Sequence, residues 1–212
     1  MTLVKICGIK NEQTLGVLSE CGVDYAGFVF APSKRQVTAA AVGEMLQAVP
    51  QHPPAVGVFV NPTLEELTQV LAEAPLAVVQ LHGQETPAFC QEVKERFSLP
   101  VWKAMAVGKE GDTADRLAAY AATVDAFLFD TYDPALAGGT GKRFTWEEIP
   151  ELRAACQGVT EVIAGGIHAG NVTELIARYQ PTVIDLSSGV ETDGEKDSGK
   201  IRELMERVKG HG

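Results

Sequence analysis

The chain has 212 residues, of which 45% are hydrophobic and 22% charged, and it carries a formal charge of -10. This is ordinary globular composition with enough chain for one sizeable core, and the acidity argues against a nucleic-acid-binding surface, which is normally basic. No apolar run approaches the roughly 20 residues that span a bilayer, and the start lacks a basic stretch leading into a long apolar segment, so neither a membrane span nor a secretory leader is expected.

Runs rich in Val, Ile, Leu and Phe recur near residues 3–7, 25–30, 55–60, 76–81, 100–106, 125–130, 160–164 and 183–187. Most gaps between them hold helical spacing: Leu15, Leu18 and Cys21; Val42, Leu46 and Val49; Leu64, Leu67, Val70 and Leu71; Phe89, Val93 and Phe97. Asn11 suits the cap of a first helix, Thr63 precedes Glu65 and Glu66, and Pro62, Pro87 and Pro181 punctuate loops. Residues 107–124 are the least regular stretch, with Gly108, Gly111 and alanine runs blurring the helix. Strand and helix alternating eight times predicts parallel strands with crossover helices, and a single (β/α)8 TIM barrel over 1–212 fits better than an open doubly wound sheet.

Side chains alternate across a strand. If Cys7 points into the barrel, so do Lys5 and Leu3, while Val4 and Ile6 face the helices. The same count turns Asp130 and Leu128 inward and Phe127 and Phe129 outward. In the last strand it turns Asp185 and Ser187 inward. Closure makes the first and last strands neighbours, so Lys5 and Asp185 are expected to meet as an ion pair, because neither charge is stable buried alone. Gln80 and His82 share one face of the fourth strand, and His82 is expected near the same mouth as Asp130, in a supporting or substrate-lining role.

Catalytic groups in such barrels collect at the C-terminal ends of strands, and phosphate is commonly held by the loops after strands 7 and 8. Cys7 and Asp130 close strands 1 and 6, a thiol and a carboxylate able to act as base and acid. Gly165-Gly166 follows strand 7, Ser188-Gly189 follows strand 8, and Gly138-Gly139-Thr140-Gly141 lies after strand 6. Their small residues allow backbone N–H groups to approach an anion. Arg35 follows strand 2, where its planar guanidinium suits a carboxylate. Alone, Cys7 also fits an inert buried thiol, Asp130 a helix cap, Arg35 a solvated surface charge and His82 a hydrogen-bonded strand-end histidine. Cys7, Cys21, Cys90 and Cys156 are widely scattered with no CxxC pair, which fits free thiols in a reducing, cytoplasmic setting and no zinc site. The partner expected is a phosphorylated small molecule, with neither nucleic acid nor membrane; monomer and homodimer both stay open.

The motifs Lys5-Ile6-Cys7-Gly8-Ile9, Gly27-Phe28-Val29-Phe30 with Ser33-Lys34-Arg35, Val79-Gln80-Leu81-His82-Gly83, Gly139-Thr140-Gly141 with Phe144 and Trp146, Ala164-Gly165-Gly166-Ile167, and Asp185-Leu186-Ser187-Ser188-Gly189-Val190-Glu191 together resemble the phosphoribosylanthranilate isomerases nearly end to end. Lys10 and Thr145 depart from that pattern, standing where a small polar and an acidic residue are expected. The resemblance implies a cofactor-independent, metal-free Amadori rearrangement in tryptophan biosynthesis. It further implies Asp130 as general acid, Cys7 as general base, Arg35 on the anthranilate carboxylate, and Gly141, Gly166 and Ser188 around the phosphate. The histidine-pathway isomerase is the nearest rival, and Cys7 at the end of strand 1 argues against its pair of aspartates. The catalytic lysine and glutamate patterns of indoleglycerol-phosphate synthase and of the tryptophan synthase α chain are not visible. A noncatalytic phosphosugar-binding barrel is the alternative from another class.

Overall fold

The computed structural model describes residues 1–106, 113–130 and 145–210. Eight parallel strands close on themselves in chain order: β1 (Leu3–Cys7), β2 (Tyr25–Val29), β3 (Ala55–Phe59), β4 (Val78–Leu81), β5 (Val101–Ala106), β6 (Ala126–Asp130), β7 (Thr160–Ala164) and β8 (Val183–Leu186). Around them run α1 (Glu12–Cys21), α2 (Ala39–Ala48), α3 (Leu64–Glu73), α4 (Pro87–Phe97), α5 (Thr113–Tyr120), α6 (Ile149–Ala155), α7 (Val172–Tyr179) and α8 (Ser198–Lys209). The expected (β/α)8 barrel is therefore the fold, with α8 packing on α1 and α7 to close the outer ring. Among the described residues no helix is long and apolar enough to cross a membrane.

Local chemistry sets the helix starts. Asn11 Oδ1 accepts the Thr14 N–H at 2.8 Å at the head of α1, and Thr63 forms a capping box with Glu66 at α3. Pro87 differs from its loop assignment: it is the first residue of α4, behind the Thr86 cap. There its missing N–H costs nothing, since the first turn has no intrahelical acceptor for it. Thr145, one of the two departures named above, donates its N–H to the Glu148 carboxylate at 2.7 Å and so starts the short 3₁₀ turn Trp146–Glu148.

Strand alternation divides the apolar residues into two cores. Val4, Ile6, Phe127, Phe129, Ile163 and Ile184 face outward and pack under the helices. Val56, Val78, Trp102, Leu128, Val162 and Val183 fill the barrel interior, with Leu3, Tyr25 and Ala104 against them. Each fully buried phenylalanine of β6 contributes about 1.5–3 kcal/mol of burial. The interior apolar layers plug the N-terminal half, which leaves the polar inward positions to the C-terminal mouth.

One element went unread from sequence. After β8 and a 3₁₀ turn at Ser188–Val190, the chain makes a two-stranded antiparallel hairpin of β9 (Glu191–Thr192) and β10 (Glu195–Lys196). Asp193 and Gly194, both at positive φ (53° and 83°), form its turn, and Asp-Gly is a strong two-residue hairpin signal.

Candidate active site

At the seam of the barrel β1 pairs with β8, with Lys5 aligned to Asp185. Lys5 Nζ donates to Asp185 Oδ2 at 2.8 Å, and the lysine is fully buried. This is the pairing that alternation and closure predict. Burial works against the Lys5 charge, but Asp185 and Cys7 overcome it and raise the ammonium above its ordinary range. Asp185 Oδ1 and Gln80 Oε1 are also buried, with no protein hydrogen bond among the described residues.

Cys7 is half-buried at the end of β1 and aligned with Gly27 of β2. A Cβ at position 27 would lie 2.8 Å from the Cys7 sulfur, so glycine there leaves the thiol its space. Burial pushes the Cys7 thiol up, with Asp185 adding to it, while Lys5 and Lys196 pull it back. Asp130 closes β6 and is exposed at the mouth. The protein around it, and secondarily the Asp185 charge, push its carboxyl up to about 6 against the pull of Lys5. A thiol and a proton-retaining carboxyl thus share the influence of one buried ion pair.

His82 follows β4, and Gln80 Nε2 lies 3.1 Å from its Nδ1. With the amide donating, Nε2 carries the ring proton. Burial, then Lys5, lowers the His82 pKa, so the ring is neutral near pH 7.

Arg35 is already engaged. Its Nε and Nη2 donate to Glu191 Oε1 and Oε2 at 2.8 and 2.9 Å, a two-pronged grip on a carboxylate of the chain itself. Glu191 was read only as part of a motif. It also accepts from Lys196 Nζ at 2.6 Å, a residue that sequence reading missed altogether. The Asp193-Gly194 turn was the available signal, since it brings Lys196 back opposite Glu191. Lys10 likewise reaches the hairpin, at 2.5 Å from Glu195 Oε1.

Gly165 and Gly166 both have positive φ (87° and 65°) and turn the chain sharply after β7. Gly189 presses its backbone against the Ile167 carbonyl, where a Cβ would collide. The loops after β7 and β8 are therefore in contact at one side of the mouth, with Ser188 in the turn between them. Gly141, with the rest of Gly138-Gly139-Thr140-Gly141 and Phe144, lies outside the described residues.

A family model described as N-(5'-phosphoribosyl)anthranilate (PRA) isomerase matches residues 4–207. The chain belongs to that family. It is 65% identical over 211 residues to the N-(5'-phosphoribosyl)anthranilate isomerase of Brevibacillus brevis, covering 100% of this chain and 95% of that one. With the Listeria monocytogenes isomerase it shares 44% over 208 residues, 98% of each chain. The crystal structure of PRA isomerase from Thermotoga maritima matches with a TM-score of 0.85 at 36% identity, covering 99% of this chain and 100% of that one. Another PRA isomerase structure, in complex with reduced 1-(o-carboxyphenylamino)-1-deoxyribulose 5-phosphate, matches with a TM-score of 0.83 at 34% identity, covering 99% and 100%. PRA isomerase membership makes the chain an isomerase, and the mouth just described is the C-terminal face, where (β/α)8 barrel enzymes in general carry their chemistry.

Proposed function

We propose that this chain converts N-(5-phosphoribosyl)anthranilate to 1-(2-carboxyphenylamino)-1-deoxyribulose 5-phosphate in L-tryptophan biosynthesis, in the cytoplasm, with Asp130 as general acid and Cys7 as general base. The observation that carries the reading is a thiol and a proton-retaining carboxyl on inward positions of one barrel mouth, coupled to one buried ion pair.

Asp130 gives its proton to the ribose ring oxygen as the C1–O bond breaks. The anthranilate nitrogen pushes its lone pair into C1 and stabilises the resulting Schiff-base cation, so the substrate itself supplies the electron source. A Cys7 thiolate then takes the proton from C2, giving an enolamine that tautomerises to the ketone. Over the whole reaction a hydrogen leaves C2, one arrives at C1, the ring oxygen becomes a hydroxyl and the C2 hydroxyl becomes the carbonyl. General acid and base groups of this kind contribute about 100-fold to 10,000-fold each.

Both ends of the substrate have a matching partner. Glu191 takes two of the five Arg35 N–H donors, and the others suit the anthranilate carboxylate. The turn at Gly165-Gly166 and the Ser188-Gly189 turn pressed against it suit the phosphate, with Gly141 assigned to the same role and His82 lining the mouth. Holding a molecule at both termini brings C1 and C2 between acid and base without further contacts.

The test follows anthranilate-type fluorescence as purified protein meets freshly generated N-(5-phosphoribosyl)anthranilate, with Cys7→Ala and Asp130→Asn in parallel. Turnover by the parent that collapses in both variants is the expected result. Near-parental turnover in either variant removes that residue's role, and a folded parent without turnover removes the reaction.

A further inference from the structure

The β9–β10 hairpin has a precise effect on the corner of the mouth that holds Cys7. Lys196 sits directly opposite Glu191 in the antiparallel register, and both side chains are almost fully buried, at 3% and 6% exposure. A buried ammonium needs three acceptors, and Lys196 Nζ has them: Glu191 Oε1 at 2.6 Å, the Ser187 carbonyl at 3.0 Å and Ser187 Oγ at 3.2 Å. The Ser187 hydroxyl that accepts from Lys196 lies 3.1 Å from the Cys7 carbonyl, the nearer acceptor for its one proton, with Glu191 Oε1 farther off at 3.5 Å. Through Glu191 the same ammonium fixes Arg35. Arg35 in turn lies over the residue after Cys7, since a Cβ on Gly8 would come within 2.5 Å of its Cδ.

We propose that Lys196 is a positioning residue for the reaction: it anchors the Cys7 backbone through Ser187, holds the glutamate that aims Arg35, and supplies positive charge to the Cys7 thiolate. The inference rests on the reading of Cys7 as the base. Around Cys7 stand three cations, Lys5 from β1, Lys196 from β10 and Arg35 from the loop after β2. They face two carboxylates, Asp185 of β8 and Glu191 of β9. With Asp130 of β6 protonated, as the competent form requires, one positive charge is left over, and a Cys7 thiolate cancels it. Without Lys196 the surplus is gone, so forming the thiolate leaves an uncompensated negative charge in a largely buried corner.

The experiment measures kcat/KM against pH and the rate of Cys7 alkylation by iodoacetamide against pH, for the parent, Lys196→Met, Lys196→Gln and Lys196→Arg. Peptide mapping assigns the label to Cys7 rather than to the buried Cys21, Cys90 and Cys156. An opposite charge close to an ionisable group changes its ionised population by about tenfold to a thousandfold. Lys196→Met and Lys196→Gln are expected to slow Cys7 alkylation and lower kcat/KM by a common factor in that range. The alkaline limb of the profile moves to higher pH, and Lys196→Arg recovers a substantial part of the loss. Lys196→Gln keeps hydrogen-bonding capacity and loses the charge, so a folding defect in Lys196→Met does not decide the outcome. Alkylation and pH limbs equal to the parent's, whatever the change in thermal stability, overturn the proposal. Full activity in Cys7→Ala overturns the base assignment beneath it, whereas an inactive Cys7→Ala with unchanged alkylation in the Lys196 variants overturns the role of Lys196 alone.

Discussion

At the scale of single residues, acid and base are defined by which of them holds one proton. Burial lifts the Cys7 thiol above its ordinary value, and Asp130 retains its proton up to about pH 6. The competent form, thiolate with protonated Asp130, is then the minority arrangement of a pair that shares a proton. Between the two values each tenfold gain in thiolate is offset by a tenfold loss of protonated carboxyl, so kcat/KM is expected to rise to about pH 6, run level, and fall only above the ordinary thiol range. Asp130→Asn removes the break near pH 6, so that its residual activity goes on rising to the thiol range, and a parental break near the ordinary carboxylate value of 3.8 contradicts the assignment. Arg35→Ala releases both the proposed carboxylate anchor and Glu191, and is expected to raise KM more than it lowers kcat; an unchanged KM argues against an anchor.

Individual elements separate stability from chemistry by alternation alone. On β6, Phe129 points outward and is fully buried, while Asp130, one residue on, opens to the mouth. Phe129→Ala is expected to cost about 3–5 kcal/mol of stability, and Asp130→Asn to leave the melting temperature near the parent's while turnover collapses. Equal loss of Tm in both places Asp130 in the core instead. The hairpin carries its own pH signature. Burial works to raise the Glu191 carboxyl, but hydrogen bonds from Arg35 and Lys196 overcome it and hold the group at about 2. A carboxyl lowered in the folded state stabilises it above its ordinary value, and that stabilisation is lost as pH falls through the window down to about 2. The Tm difference between parent and Glu191→Gln is expected to shrink across that window in acid melts, and a constant difference rules out the pairing as its source. The elements themselves were legible because hydrophobic period and capping residues are local: Asn11 and Thr63 sit at the helix starts they signalled. Pro87 was read as a loop residue although its neighbour Thr86 was the available signal, a capping residue directly before a proline at the first helical position.

For the molecule as a whole, the seam between β1 and β8 depends on Lys5 and Asp185. Removing one partner of a buried pair leaves a stranded charge and costs about 3–5 kcal/mol, whereas replacing both with apolar residues of similar size is close to neutral. Lys5→Met alone is therefore expected to melt well below the parent, and Lys5→Met with Asp185→Leu to recover most of that loss without recovering activity. Failure of the double variant to recover points to a packing role for the lysine stem. By itself the sequence determined the βα alternation, the inward faces of β1, β6 and β8, the Lys5–Asp185 pairing and the family, because alternation within a strand and closure between first and last strands follow from the order of residues. Tertiary structure decided what Arg35 holds and what surrounds Cys7. Glu191 and Lys196 lie 156 and 161 positions beyond Arg35 along the chain, and only the closed barrel and the Asp193-Gly194 turn bring those three charges against one thiol. Alternation and closure brought Lys5 to Asp185 across 180 positions, but Arg35, Glu191 and Lys196 lie outside the eight barrel strands, where no strand period encodes which side chains meet.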